Sequence, residues 1–110
     1  MAGKFVITTG KNGEEYFVLK AGNGEVILQS EGYKSHAACK NGIDSVCNNC
    51  TDESCFEVKT AKDGREYFVL KAKNGQVIGR SQMYKTSSGC KNGIASVCRS
   101  APGAKIQDDR

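Results

Sequence analysis

The sequence matches itself at a shift of 51 residues, and this internal repeat limits the possible folds more than any other feature. More than half of the positions from Phe5 to Cys50 keep their residue in the second copy, and no gap is needed. The longest matches pair residues 16–20 with 67–71 and residues 39–43 with 90–94. Such fixed-period similarity indicates one supersecondary unit built twice. Residues that occur in only one copy are therefore of special interest for function.

The size of each copy indicates how the two are joined. About 50 residues is close to the limit below which a hydrophobic core no longer supports a fold by itself. The whole chain has 110 residues, the size of one small domain. We therefore expect residues 1–110 to form a single domain in which repeat 1 (about 4–51) and repeat 2 (about 55–108) share one core.

The first part of each copy reads as a three-stranded meander. Short apolar and β-branched runs cover residues 5–9, 15–20 and 25–30, and Asn12-Gly13 and Asn23-Gly24 lie between them. An Asn-Gly or Asp-Gly pair between two such runs is a strong hairpin signal. The second copy repeats the pattern at residues 56–60, 66–71 and 76–81.

The last part of each copy reads as a helix. Apolar residues recur there at the spacing of one helical face, at Cys39, Ile43, Val46, Cys47 and Cys50, and again at Cys90, Ile94, Val97 and Cys98.

The helices should begin and end at identifiable residues. Ser35 is the expected N-cap of the first helix, Thr86 or Ser87 that of the second, and Pro102 lies beyond the second helix. Gly42 lies in mid-helix and costs about 1 kcal/mol relative to alanine. We expect a packing reason for this glycine and for its equivalent Gly93.

These residues resemble the repeat of the YegP family, a group of small bacterial proteins of uncharacterised function. The similar segments are residues 17–21, 23–24, 26–27, 41–43 and 45–46, with Ser30 and Tyr33, and, more closely, residues 68–72, 74–79, 81–84 and 93–97. The resemblance implies an α+β fold of two tandem β(3)-α-β repeats. They would share a single antiparallel sheet with helices on one face, and the strand after each helix would be swapped into the other repeat. Those swapped strands would be the 54–56 region and residues 104–107. The family supplies no functional residues.

Composition and charge exclude some functions. No stretch approaches the roughly 20 apolar residues of a membrane span, and Met1-Ala2-Gly3-Lys4 lacks the apolar run of a signal peptide. We therefore expect a cytoplasmic protein without a membrane partner, and a monomer. The formal charge of +4 is modest and scattered among acids, which argues for solubility more than for a polyanionic partner.

Six cysteines are the strongest chemical signal in the chain. We favour Cys39 and Cys90 as buried core thiols, since cysteine packs as a small hydrophobe. We expect Cys50 and Cys55, which occur only between the repeats, to be accessible. A disulfide framework is an alternative, although six cysteines allow 15 connectivities and an oxidising compartment would be required.

Cys47, Cys50 and Cys55 form a C-x2-C-x4-C series that could supply three zinc ligands, with Asp52 or Cys98 as the fourth. The other copy contains no second C-x-x-C pair. A thiol-redox role for Cys47 and Cys50 is disfavoured, because they lie at the C-terminal end of the predicted helix. The helix dipole disfavours a thiolate there.

The sequence contains no recognisable catalytic or cofactor-binding constellation. His36 is the only histidine, its equivalent is Ser87, and we expect it to be solvated. No glycine-rich loop has phosphate-binding spacing. We therefore predict no enzyme activity and no cofactor, and interpret the chain as an interaction or structural module of unknown role.

The outer face of the sheet is the remaining candidate site. If Phe17 points toward the helices, then Tyr16 and Lys20 point away, as do their equivalents Tyr67 and Lys71. Aromatic and cationic side chains on a sheet can stack bases and hold phosphates, so single-stranded nucleic acid is an alternative partner to protein. The alternative that we favour is that these are ordinary strand residues on a solvated face.

Overall fold

The computed structural model describes residues 3–109, so Met1, Ala2 and Arg110 lie outside the described residues. Residues 3–109 contain seven strands and two α-helices in the predicted order. Their bounds are β1 (Lys4–Thr9), β2 (Glu15–Lys20), β3 (Val26–Ser30), α1 (His36–Asn49), β4 (Phe56–Thr60), β5 (Glu66–Lys71), β6 (Val77–Arg80), α2 (Ser87–Ser100) and β7 (Lys105–Asp108).

One sheet contains all seven strands, in the order β4-β5-β6-β3-β2-β1-β7. The predicted α+β fold with two repeats on a single sheet is confirmed. The expectation that the sheet is wholly antiparallel is wrong at one edge, where β7 pairs with β1 in parallel. The chain leaves α2 and enters this edge in the same direction as β1, so the pair is parallel.

The strand swap occurs at only one of the two expected places. Residues 105–108 form β7 beside β1 of the other repeat, as predicted. The 54–56 region does not form a swapped strand. Residues 53–55 form a 3-10 turn, and Phe56 begins β4 itself. This segment covalently joins α1 to β4, so it cannot also lie alongside β4.

The two repeats meet at the antiparallel pair of β3 and β6. Gln29 lies opposite Arg80, which is its equivalent at the 51-residue shift. A local two-fold axis therefore passes between these residues. The two meanders extend from it in opposite directions, so that β1 and β4 are equivalent strands on opposite sides of the sheet.

Both helices pack on one face of the sheet and bury a core that the repeats share. Helix α1 contacts β2 of its own repeat and β5 and β6 of the other, and α2 contacts β5, β3 and β2. The buried cluster contains side chains from both repeats, with Phe17, Leu19, Phe68 and Leu70 from the strands and Cys39, Val46, Cys90 and Val97 from the helices. Cys39 and Cys90 are fully buried, as predicted.

Local signals place the turns and helix starts as expected. Gly13 adopts a φ of 82°, a conformation that glycine reaches without strain, and Asn12 Oδ1 accepts a hydrogen bond from the amide of Glu14 at 3.0 Å. The oxygens of Ser35 and Thr86 cap α1 and α2. Within residues 3–109, neither helix is long and apolar enough to cross a bilayer.

Close packing explains the glycine at position 42, as expected for a glycine in mid-helix. The ring of Tyr33 stacks against Phe17, with 6.1 Å between the ring centroids. A Cβ atom on Gly42 would collide with the Tyr33 phenol and would lie 3.0 Å from the Phe17 ring. Gly93 has the same relation to Tyr84 and Phe68. The glycines thus allow each helix to lie directly on an aromatic pair.

We predict that Gly42→Ala lowers the free energy of unfolding by about 1–2 kcal/mol. Overpacking a core costs roughly 1–3 kcal/mol, and about 2–3 kcal/mol is expected here because the clash is with a ring that is itself stacked on Phe17. The better helix propensity of alanine offsets about 1 kcal/mol of this cost. Denaturant melts measure the change. The control is Asn41→Ala on the exposed face of the same helix turn, which should leave stability unchanged or slightly higher. A Gly42→Ala variant as stable as this control would contradict the packing role.

Candidate functional site

The face of the sheet opposite the helices is defined by the strand register. Val18 lies opposite Gln29, Gln29 opposite Arg80, and Arg80 opposite Val69. Side chains paired in this way share a face, whereas Phe17 and Phe68 point to the helices. We call the surface formed by these paired residues the helix-free face.

Positive charge is concentrated on the helix-free face. Among the described strand residues on it, the charged ones are one carboxylate, Glu57, and six cations: Lys4, Lys20, Lys59, Lys71, Arg80 and Lys105. The surplus of positive charge there exceeds the formal net charge of the whole chain, which is +4. Charges that are scattered along the sequence are therefore segregated in space.

Three of these lysines surround one depression at an end of the face. Lys4, Lys20 and Lys105 line it together with the turn residues that follow β2, and its volume is about 360 Å³. The register explains this convergence, since Lys4 pairs with Lys20 on one side and with Lys105 on the other. Lys4 Nζ donates a hydrogen bond to Gln107 Oε1 at 3.0 Å. We call this feature the lysine depression.

The second repeat lacks an equivalent set of lysines. Cys55 and Ser54 stand where the first repeat has Lys4 and the C-terminal segment has Lys105. The remaining equivalent, Lys71, donates a hydrogen bond to Glu57 Oε1 at 2.6 Å. This hydrogen bond, with the charge of Lys71, lowers the pKa of Glu57 below its ordinary value. The equivalent depression of the second repeat, about 300 Å³ in volume, is lined by Lys71 and Lys73 together with Asp52, so it carries less positive charge than the lysine depression.

Tyr16 and Tyr67 lie on the helix-free face as the alternation predicts, and both are half-buried. The Tyr16 hydroxyl accepts a hydrogen bond from Asn12 Nδ2 at 3.1 Å, so its ring is held against the preceding turn. Tyr67 lies opposite Lys59 on β4. Val6 and Val69 on this face are only 7 % and 5 % exposed, so the face is not fully open to solvent.

The six cysteines are not arranged as a zinc site or a disulfide framework would require. All six are thiols. The thiols of Cys47, Cys50 and Cys55 donate to three different acceptors, which are the carbonyls of Ala101 and Cys47 and the side chain of Asn49. Within residues 3–109 no three His, Cys, Asp or Glu side chains are grouped to hold a metal ion. The zinc and disulfide alternatives gain no support.

The expectation that Cys50 and Cys55 are accessible is wrong. Cys50 is fully buried and Cys55 is 6 % exposed, because the segment after α1 packs against the core. Burial raises the pKa of Cys50 to about 11, and the nearby thiols of Cys98 and Cys47 add to the shift. A nucleophilic or redox-active cysteine needs the opposite shift.

His36, which was expected to be solvated, is only partly so: 32 % of its side chain is exposed, and the ring links three elements. Its Nδ1 lies 2.8 Å from Glu15 Oε1 on β2, and its Nε2 lies 3.7 Å from Asp108 Oδ2 on β7. In the second repeat, the Ser87 hydroxyl donates to Glu66 at the equivalent place. Because the carboxylates are far from His36 in sequence, no local pattern could have revealed these contacts.

We predict that alkylation of the native protein at neutral pH is slow at every cysteine and slowest at the fully buried Cys39, Cys50 and Cys90. Mass spectrometry of iodoacetamide-treated protein measures the order. The half-buried Cys47 and Cys98 should react first. Labelling of Cys50 as fast as in denatured protein would contradict its burial.

The raised pKa of Cys50 also predicts a pH dependence of stability. Above pH 9, the ordinary value for the thiol, the unfolded chain loses this proton while the native protein keeps it up to about pH 11. The unfolded state then binds fewer protons, so the free energy of unfolding falls as pH rises through this window. Cys50→Ala should show a smaller fall, measured by the same melts.

Nearly the whole chain is similar to known proteins. A family model described as a domain of unknown function (DUF1508) matches twice, at residues 11–57 and 61–108. A UPF0339 protein of Pasteurella multocida is 50% identical over 96% of this chain and 93% of its own length. The UPF0339 protein YegP of Yersinia pestis is 49% identical, over 96% of this chain and 95% of its own.

Solved structures agree with the fold described above. The solution structure of YegP from Escherichia coli, a protein of unknown function, aligns with a TM-score of 0.94 and 46% identity. It covers 99% of this chain and 94% of that one. The solution structure of a UPF0339 protein from Shewanella oneidensis has a TM-score of 0.92 and 44% identity, covering 98% and 92%.

Proposed function

The chain belongs to the DUF1508 family, which includes the bacterial YegP proteins, and we propose that it is a non-enzymatic module that binds single-stranded nucleic acid across its helix-free face. The family description and the names of these relatives specify no activity. The resemblance to YegP that we read from the sequence is confirmed. The proposal concerns the surface that this chain presents.

The lysine depression is the observation that carries this proposal. Lys4, Lys20 and Lys105 bring three cationic side chains to the lining of one concave site, and concave cationic sites attract phosphate groups. Lysines that replace the counterions of a nucleic acid supply most of the affinity of non-specific binding. Arg80 and Lys59 extend the positive surface across the sheet.

The tyrosines provide places for bases beside this positive surface. Tyr16 and Tyr67 lie on β2 and β5, which are three strand spacings apart, or about 14 Å. The two rings would therefore stack on two bases that are not neighbours in the bound strand. Because Tyr16 is held by Asn12, Tyr67 is the freer of the two rings to stack. Stacking on a ring is largely independent of base identity.

The proposed function does not include catalysis, because three cysteine thiols have raised pKa values. The pKa values of Cys47, Cys50 and Cys90 are raised above the ordinary thiol value, in each case mainly by burial. A raised pKa keeps a thiol neutral at pH 7 and unsuited to nucleophilic attack.

We predict salt-dependent binding of a single-stranded oligonucleotide that depends on the lysine depression. Changing Lys4, Lys20 and Lys105 together to Gln should reduce the slope of log affinity against log salt by about 2, at roughly 0.7 for each phosphate contact. The matched control changes Lys34, Lys40 and Lys85 to Gln, which removes the same charge from exposed residues outside the strands. Fluorescence anisotropy measures both.

The tyrosine contribution is tested in the same assay. Tyr67→Ala should weaken binding by about 1–3 kcal/mol, whereas Tyr67→Phe keeps the ring and should bind like the wild type. Two results would contradict the proposal. One is an absence of wild-type binding at low salt. The other is an equal loss in both triple-lysine variants, which would indicate attraction by net charge alone.

A further inference from the structure

The equivalent strands β1 and β4 differ in what lies beside them. Strand β1 lies between β2 and β7, whereas β4 is the last strand of the sheet in the described part of the chain. Their equivalent side chains differ accordingly in exposure. Phe5 and Ile7 on β1 are 1 % and 0 % exposed, whereas Val58, the equivalent of Ile7, is 46 % exposed.

An apolar groove follows the open side of β4. It has a volume of about 570 Å³ and runs between β4 and α2. Its apolar lining comes from Phe56, Val58, Ile94 and Ala95, and its charged lining from Lys91 and Arg99. Ile94 is half-buried, whereas its equivalent Ile43 on α1 is 2 % exposed. We call this feature the β4 groove.

The first repeat shows what fills the equivalent place. Strand β7 runs parallel to β1, with Ile106 opposite Phe5 and Asp108 opposite Ile7. The amide of Asp109 donates to the carbonyl of Ile7 at 2.8 Å, and Ala104 packs against the core. One extended segment with alternate side chains toward the helices is therefore sufficient to cover this edge of the repeat.

The charge of the β4 groove differs from that of its covered equivalent. Ala95 replaces Asp44, which removes a negative charge, and Arg99 replaces Asn48, which adds a positive charge. Lys91 and Lys40 are equivalent. The open groove is thus more positive than the one that β7 covers, and electrostatic complementarity favours an acidic occupant.

We propose that the β4 groove binds an extended acidic segment of a partner protein, which adds to the sheet as a strand parallel to β4. By analogy with β7, three alternate residues of the segment face α2. The middle one is apolar and lies opposite Phe56, as Ile106 lies opposite Phe5. The outer two are acidic and meet Arg99 and Lys91. The motif is acid-x-apolar-x-acid.

This site is separate from the helix-free face and goes beyond the proposed nucleic-acid function. Main-chain hydrogen bonds to an exposed edge supply affinity in this mode of recognition, and side-chain pockets supply specificity. Glu57 and Lys59 on the other face of β4 are charged, and charged residues on an edge strand oppose uncontrolled pairing. The β7 strand of a second copy is already paired with its own β1.

A peptide derived from this chain provides a defined probe. Residues 103–109 with Ala104→Glu present the motif Glu-x-Ile-x-Asp, and a control peptide carries Ile106→Ser in addition. We expect the first peptide, labelled with a fluorophore, to bind the full-length protein at least tenfold more tightly than the control. Chemical shift changes should be confined to β4 and α2.

Variants of the protein test the same site. Val58→Glu places a negative charge in the groove at a side chain that is already 46 % exposed, and should weaken binding at least tenfold. Arg99→Glu should weaken binding of the probe peptide several-fold. The same variant should bind a peptide that carries Ala104→Lys in place of Ala104→Glu, because the two charges are then exchanged. The control is Met83→Glu, an exposed apolar residue that does not line the groove. Thermal melts establish that each variant is folded.

A spin label on the peptide N-terminus tests its direction, and broadening near Phe56 instead of Thr60 is expected for a parallel strand. Three results would overturn the proposal. The first is no binding of the probe by folded protein. The second is equal binding by the Val58→Glu and Met83→Glu variants. The third is a wild-type dimer that Val58→Glu dissociates, because a second copy would then be the occupant.

Discussion

The covalent connection between the repeats determines how this sheet ends. The first strand of each repeat, β1 or β4, has an outer edge that can pair with a further strand. The two-fold relation places these two edges on opposite sides of the sheet. The segment after α2 is free to fold back and cover β1. The segment after α1 must enter β4 and cannot cover it. Two units of similar sequence and fold therefore yield one closed side and one open side.

The shared core follows from the same arrangement. Gly42 and Gly93 allow each helix to lie on a Phe-Tyr pair of its own repeat. Each helix also contacts strands of the other repeat, so neither helix can be repacked without affecting both halves. On the opposite face, the strand alternation gathers lysines that are far apart in sequence. The same strand register therefore produces the packed core on one face of the sheet and the cationic surface on the other.

Much of the fold could be predicted, since the repeat, the Asn-Gly turns and the helical periodicity all have local causes. The parallel pairing of β7, the single swap and the burial of Cys50 could not, because each depends on where a chain segment can reach in three dimensions. For the site, alternation correctly placed Tyr16, Lys20, Tyr67 and Lys71 on one face. The convergence of Lys4 and Lys105 with Lys20 required the β1–β7 pairing, which no periodicity reveals.

Amide hydrogen exchange on the isolated protein tests the closed and open sides most directly. The β1 amides that point away from β2 are hydrogen-bonded to β7 and should exchange slowly, whereas the β4 amides that point away from β5 should exchange at rates close to those of free peptides. The two strands occupy equivalent positions in the repeat and in the fold, so each serves as the control for the other. Equal protection of β1 and β4 would contradict the model of one closed and one open side.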